Sequence, residues 1–336
     1  MSCPAGASSG HHPPTPGQIA EAFGLGKPDG PLLPVQHTIS QTWQLATDRG
    51  LFLVKEIWPD ADPPWADELV DSKTFEQRAS AAGIRTPASV PPIYPVFGWI
   101  GRVAGRGAYR VTEWVEHRKV CDDDDLADWL GRTLATLHSF ESHTGSLEPR
   151  YYLHPAEQWQ EWSAQAVAQR RPWATELADR LDDYLTVTAK LRTTFFEVGD
   201  HVITHRDMVP YNVLITAPGP VLIDWESLGP DSASLETGFA AVTFGRRNTG
   251  YVRRILDSYR ANGGVLVEGL GENLFAHKLG SELGRLADML ADVLNCRPMV
   301  GWQTRYNDPD EGVTHLIQEV LTTAERLEKL ATELEG

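Results

Sequence analysis

The sequence has no run of apolar residues long enough to span a membrane and no signal-like apolar segment, which favours a cytoplasmic protein with no membrane partner. It is poor in cysteine: Cys3, Cys121 and Cys296 are odd in number and scattered, and so indicate neither a disulfide framework nor a zinc site. Basic residues are few, with 30 Lys and Arg against 46 Asp and Glu. The formal net charge of −16 therefore disfavours nucleic acid and favours a cationic partner.

The length of 336 residues and the apolar content of 41% allow one large domain or two smaller ones. Residues 1–14 are rich in Ser, Gly, Pro and His, which predicts a disordered tail. Thr15 and Gln18 then form a capping-box pattern with Pro16 at the first helical position, so a short helix is expected up to Phe23. Apolar segments over residues 35–39, 43–46 and 51–57 predict three strands.

The most informative stretch covers residues 203–226. Two short apolar segments, 213–215 and 221–223, flank a turn at 217–220, and this arrangement predicts a β-hairpin. Because a hairpin brings its two ends together, we expect polar residues just before the first strand and just after the second to share one site.

Three polar residues stand at those ends: Asp207 and Asn212 precede the first strand, and Asp224 follows the second. A carboxylate can orient and deprotonate an attacking hydroxyl, and carboxylate and amide oxygens are ligands for Mg²⁺. The alternative is that Asp207 and Asn212 are turn residues and that Asp224 caps an element. The joint pattern favours phosphoryl transfer.

The pattern H-R-D-x-x-x-x-N, from His205 to Asn212, is followed by I-D-W and resembles the aminoglycoside phosphotransferase and choline kinase-like family. The resemblance implies an α+β, bilobal protein-kinase-like fold. Residues 15–116 would form a nucleotide-binding lobe with an antiparallel sheet and a helix. Residues 117–336 would form a mainly α-helical lobe that carries the catalytic loop and the acceptor site.

The same resemblance implies roles for individual residues. Asp207 would act on the acceptor hydroxyl, and His205 and Arg206 would shape its loop. Asn212 and Asp224 would hold Mg²⁺ on the phosphates of ATP, or of GTP. Asp224 matches the metal-binding aspartate of the family.

Lys55 lies in the apolar strand segment L-F-L-V-K-E-I, where an unpaired ammonium group is costly to bury. It is either an outward-facing strand lysine or, as the resemblance implies, a ligand of the α- and β-phosphates that pairs with a helix glutamate. Residues 66–82 predict that helix. Glu76 is the preferred partner and Glu68 the alternative.

The remaining nucleotide contacts are predicted from position. Ser40 and Thr42 lie between the first two predicted strands, where their hydroxyls can meet phosphates although the segment has no glycine. Residues 112–116, with Glu113 and Val115, would link the lobes, and in the family this link offers backbone groups to the adenine.

The sequence gives less direct evidence about the acceptor than about the nucleotide. Glu226, Trp302 and Asp308 are candidate acceptor-binding residues, although 302–311 is equally interpretable as an ordinary exposed loop. Eukaryotic-type protein kinases carry a lysine where this chain has Val209, and an A-P-E motif and a G-x-G-x-x-G loop that it lacks. A small molecule with a free hydroxyl is therefore favoured over a protein acceptor.

Three functions remain open. The first is an antibiotic phosphotransferase that acts on an aminoglycoside, a nucleoside antibiotic or a macrolide and confers resistance. The second is a metabolic kinase for choline, a sugar or an amino alcohol. The third is a catalytically silent nucleotide-binding protein, which the retained Lys55, Asp207, Asn212 and Asp224 argue against. A monomer or a homodimer is expected.

Overall fold

A computed structural model describes residues 14–37, 41–58, 65–103, 107–151, 153–246, 248–299 and 301–335. The predicted tail, residues 1–14, lies outside this part of the chain except for Pro14. The contacts divide the described residues into two units. The sheet unit comprises residues 14–122 and 211–228, and the helical unit comprises residues 123–210 and 229–335.

The sheet unit is built on an antiparallel sheet. Its described strands are β1 Leu33–His37, β2 Gln41–Thr47, β3 Gly50–Trp58, β4 Ser89–Val90, β5 Pro95–Phe97, β6 Ile100–Val103 and β7 Gly107–Glu113. They follow the order β1-β2-β3-β7-β6-β5, and β4 pairs with β7. The long strands β3 and β7 are neighbours, so residues from distant parts of the sequence stand side by side.

Two helices complete this unit, α1 Pro16–Phe23 and α2 Ala66–Ala81. The predicted capping box is confirmed: Thr15 accepts a hydrogen bond from the backbone N–H of Gln18, whose side chain accepts from the Thr15 backbone. The helix ends at Gly24, whose φ of 64° is left-handed, a conformation that favours glycine. The apolar side of α1 packs into the core beneath the sheet.

The predicted hairpin is also confirmed, as β10 Val213–Thr216 paired with β11 Gly219–Leu222. Preceding it in sequence are β8 Arg118–Lys119, which pairs with β10, and β9 His201–Thr204. We expected the hairpin within residues 117–336 as part of the helical lobe, but its contacts assign it to the sheet unit. The reason is the pairing with β8, together with a hydrogen bond from Leu222 N to Arg85 O of 2.9 Å.

The helical unit contains most of the helices described. They are α3 Ala127–His138, α4 Ala156–Ala168, α5 Ala174–Asp179, α6 Leu181–Glu197, α7 Ala233–Gly245, α8 Thr249–Ala261, α9 Ala276–Leu294 and α10 Pro309–Glu335. A last strand, β12 Gly229–Ser232, pairs with β9. The buried tryptophans Trp159, Trp162 and Trp173 belong to the core between these helices.

The short 3₁₀ helices described are Pro210–Asn212, Trp225–Ser227, Gly271–Phe275 and Gly301–Arg305. No helix in the described part of the chain has the length and apolar character needed to cross a bilayer. Cys121 is a free, exposed thiol.

Candidate functional site

The sheet register places three polar residues in one row. Thr42 of β2 is paired with Lys55 of β3, and Lys55 is paired with Arg110 of β7. Directly paired residues in an antiparallel sheet project their side chains to the same face. A hydroxyl and two cations therefore line one face of the sheet unit, as an anion-binding surface requires.

Two carboxylates from the segment after the hairpin meet Lys55. Its Nζ lies 2.5 Å from Asp224 Oδ1 and 3.1 Å from Glu226 Oε2. Burial by itself would lower the pKa of Lys55, but the charges of Glu226 and Asp224 outweigh burial and raise that pKa. Lys55 is therefore a paired, charged lysine, not an outward-facing one.

The partner predicted for Lys55 from the α2 helix needs correction. Glu76 is fully buried, and its Oε2 lies 2.6 Å from Arg110 Nη2 and 2.9 Å from Lys73 Nζ. Glu68 is exposed, and the carboxylates that Lys55 contacts are those of the segment after the hairpin. The reason lies in the sheet register: Arg110 is the direct neighbour of Lys55 and binds Glu76, so Glu76 does not pair with Lys55.

Asp224 and Asn212 flank the hairpin at its base. The backbone carbonyl of Asn212 accepts a hydrogen bond of 3.0 Å from Ile223 N, which closes the hairpin next to Asp224. Asp224 has a φ of 70°, an uncommon conformation for a residue with a side chain. Burial, with a smaller contribution from Glu226, raises the pKa of Asp224 to about 6 against the opposing charge of Lys55.

The pKa of Glu226 is shifted in the opposite direction to that of Asp224. Burial alone would raise its pKa, but the charges of Lys55 and Arg110 hold the pKa of Glu226 well below its usual range. The Glu226 carboxylate, predicted from the sequence to bind the acceptor, is thus a charged partner of Lys55 and Arg110 in the sheet unit.

In the helical unit, one buried carboxylate holds the loop that contains the H-R-D motif. Glu236 of α7 accepts a hydrogen bond of 2.7 Å from the backbone N–H of Arg206 and one of 2.6 Å from the Thr204 hydroxyl. Its Oε2 also lies 2.8 Å from His138 Nε2. Arg206 has a φ of 63°, so Glu236 stabilises a backbone turn that is costly for a non-glycine residue.

The charge of Glu236 is maintained by these contacts. Burial would raise its pKa, but the hydrogen bond and charge of His138 and the Thr204 hydroxyl lower that pKa to about 2. Burial, reinforced by the nearby charge of Arg150, lowers the pKa of the Arg206 guanidinium despite the opposing charges of Asp231 and Glu236.

Asp207 is almost completely buried. Its backbone N–H donates to Nδ1 of the fully buried His205 at 3.2 Å. Its Oδ1 lies 2.7 Å from Nη2 of Arg150, a residue just before α4 that the sequence analysis did not single out. A buried carboxylate beside an arginine is suited to accept a hydrogen bond from a hydroxyl, which is what a general base needs.

The other predicted nucleotide contacts are distributed as follows. Ser40 lies outside the described residues, whereas Thr42 stands beside Lys55. The N–H of Glu113 donates to Ala88 O at 2.8 Å, and the carbonyl of Val115 lies 2.7 Å from His117 Nδ1. These bonds fix the backbone of the segment that we expect to meet the adenine.

Of the candidate acceptor residues in the helical unit, Asp308 has a structural role. Its Oδ1 accepts the backbone N–H groups of Asp310 and Glu311, at 2.7 and 3.2 Å, and so caps α10. Trp302 is partly exposed, and the guanidinium of Arg285 lies 4.9 Å from the centre of its ring.

Sequence reasoning missed Arg110, Arg150 and Glu236. A signal existed for Arg110, because it interrupts an apolar strand in the same way as Lys55. The sequence offered no comparable signal for Glu236, one acid in a helix, or for Arg150, one arginine in a loop.

No group of three or more His, Cys, Asp or Glu side chains able to hold a metal ion occurs among the described residues. Mg²⁺ in phosphoryl-transfer sites is commonly held by one or two protein side chains together with phosphate oxygens. The Asp224 carboxylate and the Asn212 amide fit that smaller donor set.

Comparison with known protein families agrees with the family resemblance found in the sequence. The model of a family described as the phosphotransferase enzyme family matches residues 32–270. No curated protein sequence matches the chain.

Several solved structures are similar to the chain. A spectinomycin phosphotransferase in complex with ADP and spectinomycin has a TM-score of 0.61 at 9% identity, over 92% of this chain and 96% of that one. An amicoumacin kinase in complex with AMP-PNP and Ca²⁺ has a TM-score of 0.62 at 11% identity, over 91% and 92%. A choline/ethanolamine kinase family protein from Mesorhizobium loti has a TM-score of 0.60 at 15% identity, over 94% and 97%. These similarities show the protein-kinase-like fold that the sequence predicts.

Proposed function

The chain belongs to the phosphotransferase enzyme family, and we propose that it transfers the γ-phosphoryl group of ATP to a hydroxyl of a small molecule in the presence of Mg²⁺. The observation that carries this proposal is the contact between Lys55 and Asp224 in the sheet unit. It brings together the cation that we assign to the phosphates and the carboxylate that we assign to Mg²⁺. The two residues are far apart in sequence, so the fold has to bring them together.

The sheet unit provides the groups that bind the phosphates. Lys55 binds the α- and β-phosphates, and the Thr42 hydroxyl beside it donates to the same anion. The Asn212 amide and the Asp224 carboxylate would hold Mg²⁺, which when bound neutralises charge on the phosphates. Asp224 then exchanges part of its contact with Lys55 for the ligand, and Glu226 keeps Lys55 charged and oriented.

The helical unit provides the general base. Asp207 accepts a hydrogen bond from the acceptor hydroxyl, orients it and takes its proton as the bond from that oxygen to the γ-phosphorus forms. The bond between the γ-phosphorus and the bridging oxygen breaks at the same time, and ADP leaves. The Glu236 carboxylate has a positioning role: it holds the backbone N–H of Arg206, the residue before Asp207. Most of the rate enhancement arises from positioning and charge neutralisation, since the chemistry involves no covalent enzyme intermediate.

For the acceptor we propose an antibiotic, so that the protein confers resistance. The acidic net charge supports a cationic aminoglycoside, and the similarity to the spectinomycin phosphotransferase and the amicoumacin kinase supports antibiotic chemistry. The second candidate is a metabolic kinase for an amino alcohol such as choline, which the similarity to the choline/ethanolamine kinase family protein favours.

The test is to incubate the purified protein with Mg²⁺ and ATP against a panel of aminoglycosides, nucleoside antibiotics, macrolides, sugars and choline. Mass spectrometry should find one added phosphate on a hydroxyl compound, and omission of Mg²⁺ should abolish it. If no panel member is modified, and ATP with Mg²⁺ neither stabilises the protein against heat nor is hydrolysed, the phosphotransferase proposal is wrong. Stabilisation by ATP without hydrolysis or transfer would instead favour the catalytically silent nucleotide-binding protein.

A further inference from the structure

Arg110 and Lys55 are direct neighbours in the ladder between β7 and β3. Like charges that face each other across two strands destabilise a sheet. Both side chains are mostly buried, with exposed fractions of 12% for Arg110 and 20% for Lys55. Buried cations need matched carboxylates, so the position of each depends on the acids around them.

Glu226 is the acid that the two cations share. Its Oε2 lies 3.1 Å from Lys55 Nζ and its Oε1 lies 3.3 Å from Arg110 Nη1. Each carboxylate oxygen faces one cation, so the place of Glu226 is set by both. If Arg110 were absent, Lys55 alone would attract Glu226. The Lys55–Glu226 pair would then lose the second contact of Glu226, which fixes the position of that carboxylate.

The other end of the Arg110 guanidinium reaches helix α2. Nη2 lies 2.6 Å from Oε2 of Glu76, which is fully buried. Lys73 is the second cation on Glu76, at 2.9 Å, and its Nζ also donates to Ser89 Oγ at 2.6 Å. Arg110 contacts both Glu76 and Glu226, whereas within the described part of the chain the ion pair of Lys73 is with Glu76 alone.

We propose that Arg110 is a positioning residue for the phosphate-binding lysine: it holds Glu226 against Lys55 and connects that pair to helix α2 through Glu76. The proposal rests on the proposed function, in which Lys55 binds phosphates. In protein kinases, a helix glutamate pairs directly with the corresponding lysine. In this chain the link from helix to lysine passes through Arg110 and Glu226.

Arginine is suited to this role because its planar guanidinium presents two nitrogens in a fixed geometry, one to each carboxylate. A lysine at the same place keeps the charge but offers a single nitrogen that cannot face Glu226 and Glu76 in the same way. Arg110→Lys therefore separates the charge of Arg110 from its bridging geometry, and Arg110→Met removes both.

The experiment measures the affinity of the whole protein for Mg²⁺ with AMP-PNP by calorimetry, and its melting temperature, for Arg110→Met, Arg110→Lys and the matched variant Lys73→Met. We expect Arg110→Met to weaken nucleotide affinity about tenfold and Arg110→Lys to recover only part of it. Lys73→Met should lower the melting temperature but change the affinity less than about threefold, since the described ion pair of Lys73 is with Glu76 and not with Glu226. Arg49→Met, which removes an exposed hydrogen bond to Gly24 O in the same unit, should leave the affinity unchanged.

A double variant shows whether Arg110 acts through Glu226. With Glu226→Gln already present, adding Arg110→Met should weaken affinity by much less than the tenfold seen alone, because the two side chains act as one unit. Equal losses in both backgrounds overturn the proposal. So does a loss of thermal stability in Arg110→Met and Arg110→Lys with wild-type affinity, which would make Arg110 purely structural.

The two proposals fail differently. A wild-type protein that does not bind AMP-PNP with Mg²⁺ contradicts the proposed function and this inference together. A wild-type protein that binds it, with Arg110 variants of unchanged affinity, contradicts this inference alone. If Arg110→Met does not fold, Arg110→Lys and Lys73→Met still provide the comparison.

Discussion

The row of Thr42, Lys55 and Arg110 in the sheet unit and the H-R-D loop of the helical unit hold their functional residues in different ways. On the sheet, Lys55 is held by other charged side chains, Asp224 and Glu226. In the helical unit, Glu236 accepts hydrogen bonds from the backbone N–H of Arg206 and from the Thr204 hydroxyl, and so holds the backbone next to Asp207.

Under the proposed function, in which Lys55 binds phosphate and Asp207 is the general base, this difference follows from the task of each region. Groups that bind phosphate must exchange one charged partner for another when the ligand arrives, so ion pairs between side chains suit them. A general base must keep one orientation throughout the reaction, so its loop is fixed through the backbone by a buried carboxylate that takes no part in the chemistry. Substitutions in the two regions should therefore separate binding, catalysis and stability.

The largest expected effect separates catalysis from binding. Asp207→Asn keeps the shape of the side chain but removes the base, so turnover on the panel acceptor should fall by about 10²–10⁴-fold. Calorimetry with Mg²⁺ and AMP-PNP should give wild-type affinity, because the phosphate-binding row of the sheet unit is unchanged. Near-normal turnover in this variant would contradict the assignment of Asp207 as the base.

The next effect tests the backbone anchor. Glu236→Gln should lower the free energy of unfolding at pH 7 by about 1–3 kcal/mol, because a buried charged acceptor is lost at Arg206 and His138. Urea unfolding measures it, and Glu325→Gln on the exposed side of α10 is the control, with no change expected.

The same variant gives a pH dependence with a defined sign. The pKa of Glu236 is lowered from 4.5 to about 2 in the folded protein, so its stabilisation is complete above pH 4.5 and is lost as the pH falls toward 2. The difference in unfolding free energy between wild type and Glu236→Gln should therefore shrink between pH 4.5 and pH 2. A difference that stays constant over this range would show that the carboxylate charge does not stabilise the loop.

The smallest effect concerns the cation beside the base. Arg150 contacts Asp207, and a positive charge there opposes a cationic acceptor. Arg150→Gln should raise kcat/KM for a polycationic aminoglycoside relative to that for a neutral acceptor by about fivefold, the size of one charge interaction near water. Arg192→Gln, an exposed change on α6, is the control, and a ratio that falls or stays the same would contradict this role for Arg150.

Parts of this arrangement could be predicted from the sequence because their causes are local. The capping box at Thr15 and Gln18 lies within four residues, and the β10–β11 hairpin is specified by two apolar segments and a turn between them. The H-R-D and I-D-W motifs were recognisable because their spacing along the chain is short and fixed. Lys55 was identified because a charged residue interrupts an apolar strand.

The charge partners were not predictable in the same way. Sequence reasoning paired Lys55 with Glu76, but Arg110 lies beside Lys55 in the sheet and takes that glutamate. The Glu236 carboxylate is thirty residues from the backbone N–H of Arg206 that it binds. Helical periodicity assigns such a residue to a face, but it does not identify its partner.

The sequence by itself therefore determined the family, the strands and hairpin, and the residue types needed for phosphoryl transfer, because these are encoded over a few neighbouring residues. Only the tertiary structure decided which carboxylate meets which cation. Lys55 and Asp224 are 169 residues apart, and the strength of an ion pair depends on a distance of a few ångströms that chain spacing does not set.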